Sequence, residues 1–299
     1  MAPRVLYLGY GAAGCSGLAD LAAAGFDVVG VLCRATDRTE RPGSLFAEAR
    51  RRGLHCFAAT DPSAPEFVEE ARALAPDLLL SVQYDRILKP PLLAVPRHGA
   101  YNLHFGPLPR LRGCFPTKWA ILNDEPAGVT FHAIDPGIDS GDVIDQTIVP
   151  LAPDETDQTL YAKLDAAGQE LFRRQIPWML KLQPPPRRPQ DPAAASYYPK
   201  RLPFDGVLDW SRGVDWAERF LRAFTFPPHA AARTTLAGQE VQLRAPAAID
   251  REPPGLPPGE WVFRGDGAIA VSCGDGSLVV SRVLIGGEEH PASVLRGQP

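Results

Sequence analysis

The 299-residue sequence has no apolar run approaching the roughly 20 residues that a membrane-crossing helix needs. It has no excess of positive charge: 31 Lys and Arg stand against 35 Asp and Glu, for a net charge of −4. A protein built to grip a phosphate backbone usually carries a basic stripe, so this balance argues against nucleic acid as a partner. The first residues lack the charged start, long apolar core and small-residue cleavage site of a secretory leader, and the expectation is a cytoplasmic protein. Cysteines are few. Cys15, Cys33, Cys56, Cys114 and Cys273 form no C-x-x-C pair and have no histidine at ligand spacing, so buried free thiols and no metal site are expected. Internal repeats are absent. What is present is an ordinary globular composition, 45% hydrophobic, in a chain long enough for one large and one small domain.

The first half alternates short apolar runs with helical patterns. Strands are expected at 4–9, 27–33, 54–57, 77–82 and 99–104, and helices at 15–24, 43–52, 66–74 and 115–123. Strands spaced by helices imply βαβ units: an α/β fold with a Rossmann-like parallel sheet and helices on both faces. Residues 128–135 and 143–150 read as two strands joined by a tight turn. A long helical period then covers 157–181, interrupted at Pro177. The stretch 183–203 carries Pro184, Pro185, Pro186, Pro189, Pro192, Pro199 and Pro203, too many for a helix or a central strand. It is the expected boundary: a catalytic domain at 1–183, a proline-rich linker at 184–203, and a small β-rich, barrel-like domain at 204–299 with one helix near 214–223.

Gly9-Tyr10-Gly11-Ala12-Ala13-Gly14 fits G-x-G-x-x-G between a strand and a helix, the setting of a dinucleotide fingerprint. Arg34, at the end of the second strand, would suit a 2′-phosphate, so an NADP-dependent oxidoreductase is one reading. A second is that the glycines only permit a tight turn. A third is that Tyr10 and Gly11 meet an anionic group of a substrate at the helix N-terminus.

The stretch 81–146 is more informative. In Tyr101-Asn102-Leu103-His104, residues two apart on a strand share a face, so Asn102 and His104 project together at the strand's C-terminal end, where open α/β sheets place their ligands. A stiff loop follows, beginning Phe105-Gly106-Pro107-Leu108-Pro109. A second loop, Asp135-Pro136-Gly137-Ile138-Asp139-Ser140-Gly141-Asp142, sets three acids among glycines. These motifs, with Trp119-Ala120-Ile121 and Gly128-Val129-Thr130, resemble the formyltetrahydrofolate-dependent formyltransferases, as does the spacing from Asn102 to Asp139. The resemblance continues through Phe204-Asp205-Gly206, Gly274-Asp275-Gly276 and Leu295-Arg296-Gly297, and so covers nearly the whole chain.

The resemblance implies that an amine attacks the formyl carbon of 10-formyltetrahydrofolate, with no metal and no nicotinamide. Asn102 and His104 would donate to the developing oxyanion, and Asp139 would orient His104 and favour its charged form. Tyr84, Arg86, Ile87, Leu88, Asp135, Pro136, Gly137 and Ile138 are the expected folate-binding residues. Tyr10, Gly11, Phe105, Gly106 and Pro107 are the expected contacts of the acceptor. Residues 200–299 hold 11 Lys and Arg against 12 Asp and Glu, which favours a small-molecule amine over initiator tRNA. A nucleotide-linked amino sugar is the first expectation. Methionyl-tRNA, a hydroxyornithine-type amine and hydrolytic release of formate remain alternatives. A homodimer is compatible with the resemblance.

Overall fold

A computed structural model describes the chain except for residues 59, 60, 228, 237, 253, 254 and 297–299. Gly297 of the C-terminal motif thus lies outside the described residues. The chain opens with β1 (Arg4–Gly9), α1 (Gly11–Ala23), β2 (Asp27–Cys33), α2 (Leu45–Arg51), α3 (Pro65–Ala73) and β3 (Leu78–Val82). It continues through α4 (Pro90–Leu93), β4 (Ala100–His104), β5 (Arg112–Gly113), α5 (Pro116–Asn123), β6 (Ala127–Ala133), β7 (Val143–Val149), α6 (Asp157–Lys181) and β8 (Tyr197–Tyr198). Two compact units result. The first comprises Met1–Cys114, Ala127–Val149 and Lys163–Tyr198; the second comprises Phe115–Pro126, Pro150–Ala162 and Pro199–Pro299.

The first unit is built on a six-stranded sheet in the order β2-β1-β3-β4-β6-β7. The first four strands run parallel, as the βαβ pattern requires; β6 and β7 are antiparallel to their neighbours. The expected parallel sheet is therefore a mixed one. An antiparallel partner needs no crossover helix, so β7 can follow β6 directly. The expected tight turn between them is instead the loop of residues 134–142, long enough to carry Asp139. The expected strand at 54–57 contributes a single bridge, Cys56 to Val31.

β1 and β3 are buried on both faces, which explains their unbroken apolar sequences. Pro177 does not end α6, which runs on to Lys181. A proline inside a helix costs about 3 kcal/mol, and burial of Leu171, Phe172 and Met179 along the same helix outweighs it.

In the second unit α7 (Val214–Ala223) precedes β9 (Ala232–Leu236), β10 (Gln239–Leu243), β11 (Ala248–Asp250), β12 (Trp261–Phe263), β13 (Ile269–Ser272), β14 (Ser277–Val280), β15 (Arg282–Ile285) and β16 (Glu288–Pro291). They form two four-stranded antiparallel sheets, β16-β15-β10-β9 and β11-β14-β13-β12. The apolar run 277–284 is thus two strands that part at Ser281 into different sheets. Asp275, from Gly274-Asp275-Gly276, accepts the Val214 N–H at 2.7 Å and caps α7. At the centre of this unit the Lys118 Nζ donates to Asp157 Oδ2 at 2.7 Å and to the Ala223 carbonyl at 2.8 Å, and lies over the Phe224 ring.

Candidate active site

The antiparallel pairing of β4 with β6 sets Asn102 opposite His132 and His104 opposite Thr130. Directly opposed residues share a face, and so do residues two apart. One patch of sheet surface therefore carries two histidines, an asparagine and a threonine. Asp139 reaches the same patch from the 134–142 loop. Its Oδ2 lies 3.6 Å from His104 Nδ1 and its Oδ1 lies 3.6 Å from His132 Nε2. Those are ion-pair distances, longer than hydrogen bonds. The Gly113 N–H donates to Asp139 Oδ2 at 2.9 Å. Asn102 Nδ2 stands 3.2 Å from His132 Nε2, which makes a continuous chain Asn102–His132–Asp139–His104.

The other nitrogen of His104, Nε2, lies 2.9 Å from the Leu111 carbonyl. A carbonyl only accepts, so Nε2 carries a proton. Gly106 lies directly against that edge of the ring: a Cβ there would fall 2.5 Å from His104 Nε2 and 2.8 Å from the Leu111 oxygen. Thr130 Oγ1 donates to the Gly106 carbonyl at 2.7 Å and accepts from the Leu108 N–H at 3.2 Å and from Gln146 Nε2 at 2.8 Å. Gln146 Nε2 also donates to the Leu108 carbonyl at 2.8 Å. The 105–111 loop is thereby tied to β6 and β7.

Asp139 adopts a left-handed backbone, with φ of 50°, which asparagine and aspartate tolerate better than other non-glycine residues. Its loop has no room for side chains at two glycines. A Cβ at Gly137 would meet Ser140 Oγ at 1.9 Å, and one at Gly141 would meet the Ala133 carbonyl at 1.9 Å. Asp135 Oδ1 accepts from the Gly137 N–H and from Ser140 Oγ, closing the turn.

Burial acts to raise the pKa of the Asp139 carboxyl. The charges of His104 and His132 beside the carboxylate and the hydrogen bond from the Gly113 N–H oppose burial and win, holding the group well below the usual carboxylate range. Its folded-state pKa therefore lies below its unfolded value of about 3.9, so its ionisation stabilises the folded chain above that pH. The contribution is lost only as pH falls through the depressed folded value. Asp139→Asn is expected to lower the thermal midpoint near pH 7 and to approach the wild type in strong acid, as calorimetry across pH 2–7 will read. A constant difference over that range would contradict it.

Leu88 of the expected folate segment is buried in an apolar cluster with Leu6, Leu8 and Leu92, with Tyr84 against its edge, so its backbone is what remains for a ligand. Burial raises the Tyr84 phenol further above its ordinary value than the neighbouring Asp85 charge does. Ile87 and Ile138 are exposed, and Arg86, Pro136 and Gly137 lie at the surface. Phe105, Gly106 and Pro107 are buried; the Phe105 ring would meet a Cβ at Gly168 at 3.1 Å, so it serves packing against α6.

The glycine turn after β1 is occupied from within. The Gly11 N–H donates to Asp37 Oδ2 at 3.1 Å, and the same oxygen accepts from the Leu45 N–H at 2.9 Å. A buried carboxylate thus stands at the start of α1 and α2, where a dinucleotide would place its pyrophosphate. Arg34, the residue suited to a 2′-phosphate, pairs with Asp85 at 3.1 Å and lies over the Tyr10 ring. The glycines have other duties: Gly11 takes φ of 59°, and a Cβ on Gly9 would meet the Leu45 side chain at 2.9 Å.

Sequence reasoning quoted Thr130 only as part of a motif and missed His132, Gln146 and Asp37. Thr-x-His in β6 repeats the alternate spacing of Asn-x-His in β4, and that was the available signal for two of them.

The family model described as formyl transferase matches residues 28–176, and that described as formyl transferase, C-terminal domain matches residues 203–298. A methionyl-tRNA formyltransferase of Myxococcus xanthus is 36% identical over 286 residues, 93% of this chain and 89% of its own length. One from Geobacter sulfurreducens is 31% identical, covering 96% of this chain and 90% of its own length. An N-formyltransferase of Helicobacter canadensis, solved with folinic acid and dTDP-3-aminofucose, shares the fold with a TM-score of 0.73 at 22% identity, over 94% of this chain and 99% of that one. The chain belongs to the formyl transferase family, and its chemistry is transfer of a formyl group.

Proposed function

We propose that the protein moves the formyl group of 10-formyltetrahydrofolate to the primary amine of a small molecule, a nucleotide-linked amino sugar being the first choice. The observation that supports formyl transfer is the convergence of Asn102, His104 and Asp139 on one end of β4. The amine nitrogen forms a bond to the formyl carbon while the carbonyl electrons move to oxygen. Collapse then breaks the bond to the donor nitrogen, which takes up the proton that the attacking amine gives up. The side-chain amide of Asn102 donates to the oxyanion. The proton on His104 Nε2 serves the same oxygen once that oxygen replaces the Leu111 carbonyl as its acceptor. Asp139, held strongly acidic, is a poor base at neutral pH. Its role is to orient the imidazoles and balance their charge. Tyr84, Arg86, Ile87 and Leu88, with the Asp135–Ile138 turn, frame the pterin of the donor, largely through backbone groups.

The ion pairs of the second unit support a small acceptor. Arg201, Arg212, Arg222, Arg233, Arg251, Arg264 and Arg282 each lie within ion-pair distance of a carboxylate of the same unit. Positive charge neutralised in this way is poorly placed to displace counterions from a phosphate backbone. The crystallised Helicobacter canadensis protein, with its nucleotide-sugar ligand on the same fold, agrees with this choice. The sequence identity to methionyl-tRNA formyltransferases favours a second reading, with charged initiator tRNA as acceptor. Incubation with 10-formyltetrahydrofolate and a panel of dTDP- and UDP-amino sugars is expected to release tetrahydrofolate with one of them. Its rate should fall little between 50 and 200 mM salt, where a tRNA-gripping enzyme loses much of its affinity. Release with methionyl-tRNA alone would overturn the small-amine reading, and release with no amine present would make the protein a hydrolase.

A further inference from the structure

The proline-rich stretch is stitched to both loops of the site. Arg188 exchanges backbone hydrogen bonds with Val143 at 2.8 Å each, at the end of the Asp139 loop. Eight residues on, the Ser196 carbonyl accepts the Arg112 N–H at 3.0 Å and the Ser196 hydroxyl accepts the Leu111 N–H at 2.8 Å. β8 then pairs with β5, and the Cys114 N–H donates to the Tyr198 carbonyl at 2.9 Å. Between these anchors lies Gln190. Its Nε2 donates to the Asp139 carbonyl at 2.8 Å and to the Gly141 carbonyl at 2.7 Å. Its Oε1 accepts from Arg112 Nε at 3.0 Å and Nη2 at 2.7 Å.

Arginine can only donate and the two carbonyls can only accept, so chemistry allows one orientation of this amide. No other standard side chain of that length offers two donors to one loop and an acceptor to the other. Arg112 and Gly113 are adjacent, and the Gly113 N–H is the backbone donor to the Asp139 carboxylate. Gln190 therefore fixes the backbone of Asp139 relative to the residue that holds its side chain. A carboxylate kept 3.6 Å from two imidazoles depends on that register, since a misplacement of about 1 Å can cost on the order of 100-fold in rate.

We infer that Gln190 is a positioning residue for formyl transfer, the latch by which the 188–198 segment holds the Asp139 loop in register with Gly113. The inference rests on the formyl-transfer reading above. It is tested in the full-length chain with Gln190→Met, which keeps the length and removes all four hydrogen bonds, and with Gln190→Glu, which keeps the acceptor for Arg112 but turns an oxygen toward two carbonyls.

Both variants are expected to lower kcat by about 10- to 100-fold with a smaller change in KM for the donor, and to speed amide hydrogen exchange across residues 134–143. In an Asp139→Ala background the Gln190→Met change should lower the residual rate no further, because its effect travels through Asp139. A purely structural role would add its full loss there. Wild-type kcat in Gln190→Met, unchanged exchange in the loop, or additivity with Asp139→Ala would each overturn the inference. Wild-type protein that transfers no formyl group would instead overturn the reading beneath it, a result distinguishable from an active wild type matched by its variant.

Discussion

Asn102→Ala is expected to lower kcat by two to three orders of magnitude, about 3–4 kcal/mol of transition-state stabilisation, while the thermal midpoint moves little. Asn102 is half-buried in β4, and its Nδ2 lies 3.2 Å from His132 Nε2. Truncation removes the donor proposed for the reacting carbonyl, at a position that is not fully buried. The loss should fall on kcat, because the oxygen carries its full charge only in the transition state. His104→Ala should lose a similar factor. The double variant should lose less than the sum, since both donors are proposed to serve one oxygen and are linked through Asp139 and His132. Steady-state kinetics with the acceptor found in the panel assay will decide. Near-wild-type turnover in either single variant would remove that residue from the chemistry.

Lys118→Met is expected to destabilise the second unit by roughly 3–5 kcal/mol, the usual cost of breaking a buried ion pair. The side chains of Lys118 and Asp157 are 7% and 4% exposed, and Nζ also satisfies the last-turn carbonyl of α7 at Ala223. Removing the ammonium leaves Asp157 charged without solvent and leaves that carbonyl short of a donor. Lys118→Met combined with Asp157→Leu should recover most of the loss, because exchanging both charges for apolar groups is close to neutral in buried pairs. Denaturant unfolding of the three variants measures this. A single variant as stable as wild type would show that the pair contributes nothing to holding α5 and α7 together.

How much was legible in the sequence differs between elements. α7 could be read because its apolar residues recur with helical period, and its span of 214–223 is the observed one. The strands at 277–284 could not be separated, because an apolar run has no mark showing where a chain leaves one sheet for another. Pro177 misled, since local propensity for a break yields to burial of the flanking turns.

The sequence by itself determined the alternation of strands and helices, the placement of Asn102 and His104 on one face, and the family through its spaced motifs. These are local properties, set by backbone period and by the order of residues. Only the tertiary structure decided the antiparallel β6, which brings His132 to Asn102, and the loop that sets Asp139 between two imidazoles. Only the fold placed Asp37 at the glycine turn and Gln190 between the site's two loops. The contacts of Asp37 with Gly11, of Asp139 with Gly113 and of Gln190 with both loops join residues 26 to 78 positions apart. Their geometry depends on how the sheet is ordered and how the chain returns over it, and no local pattern in the sequence carries that information.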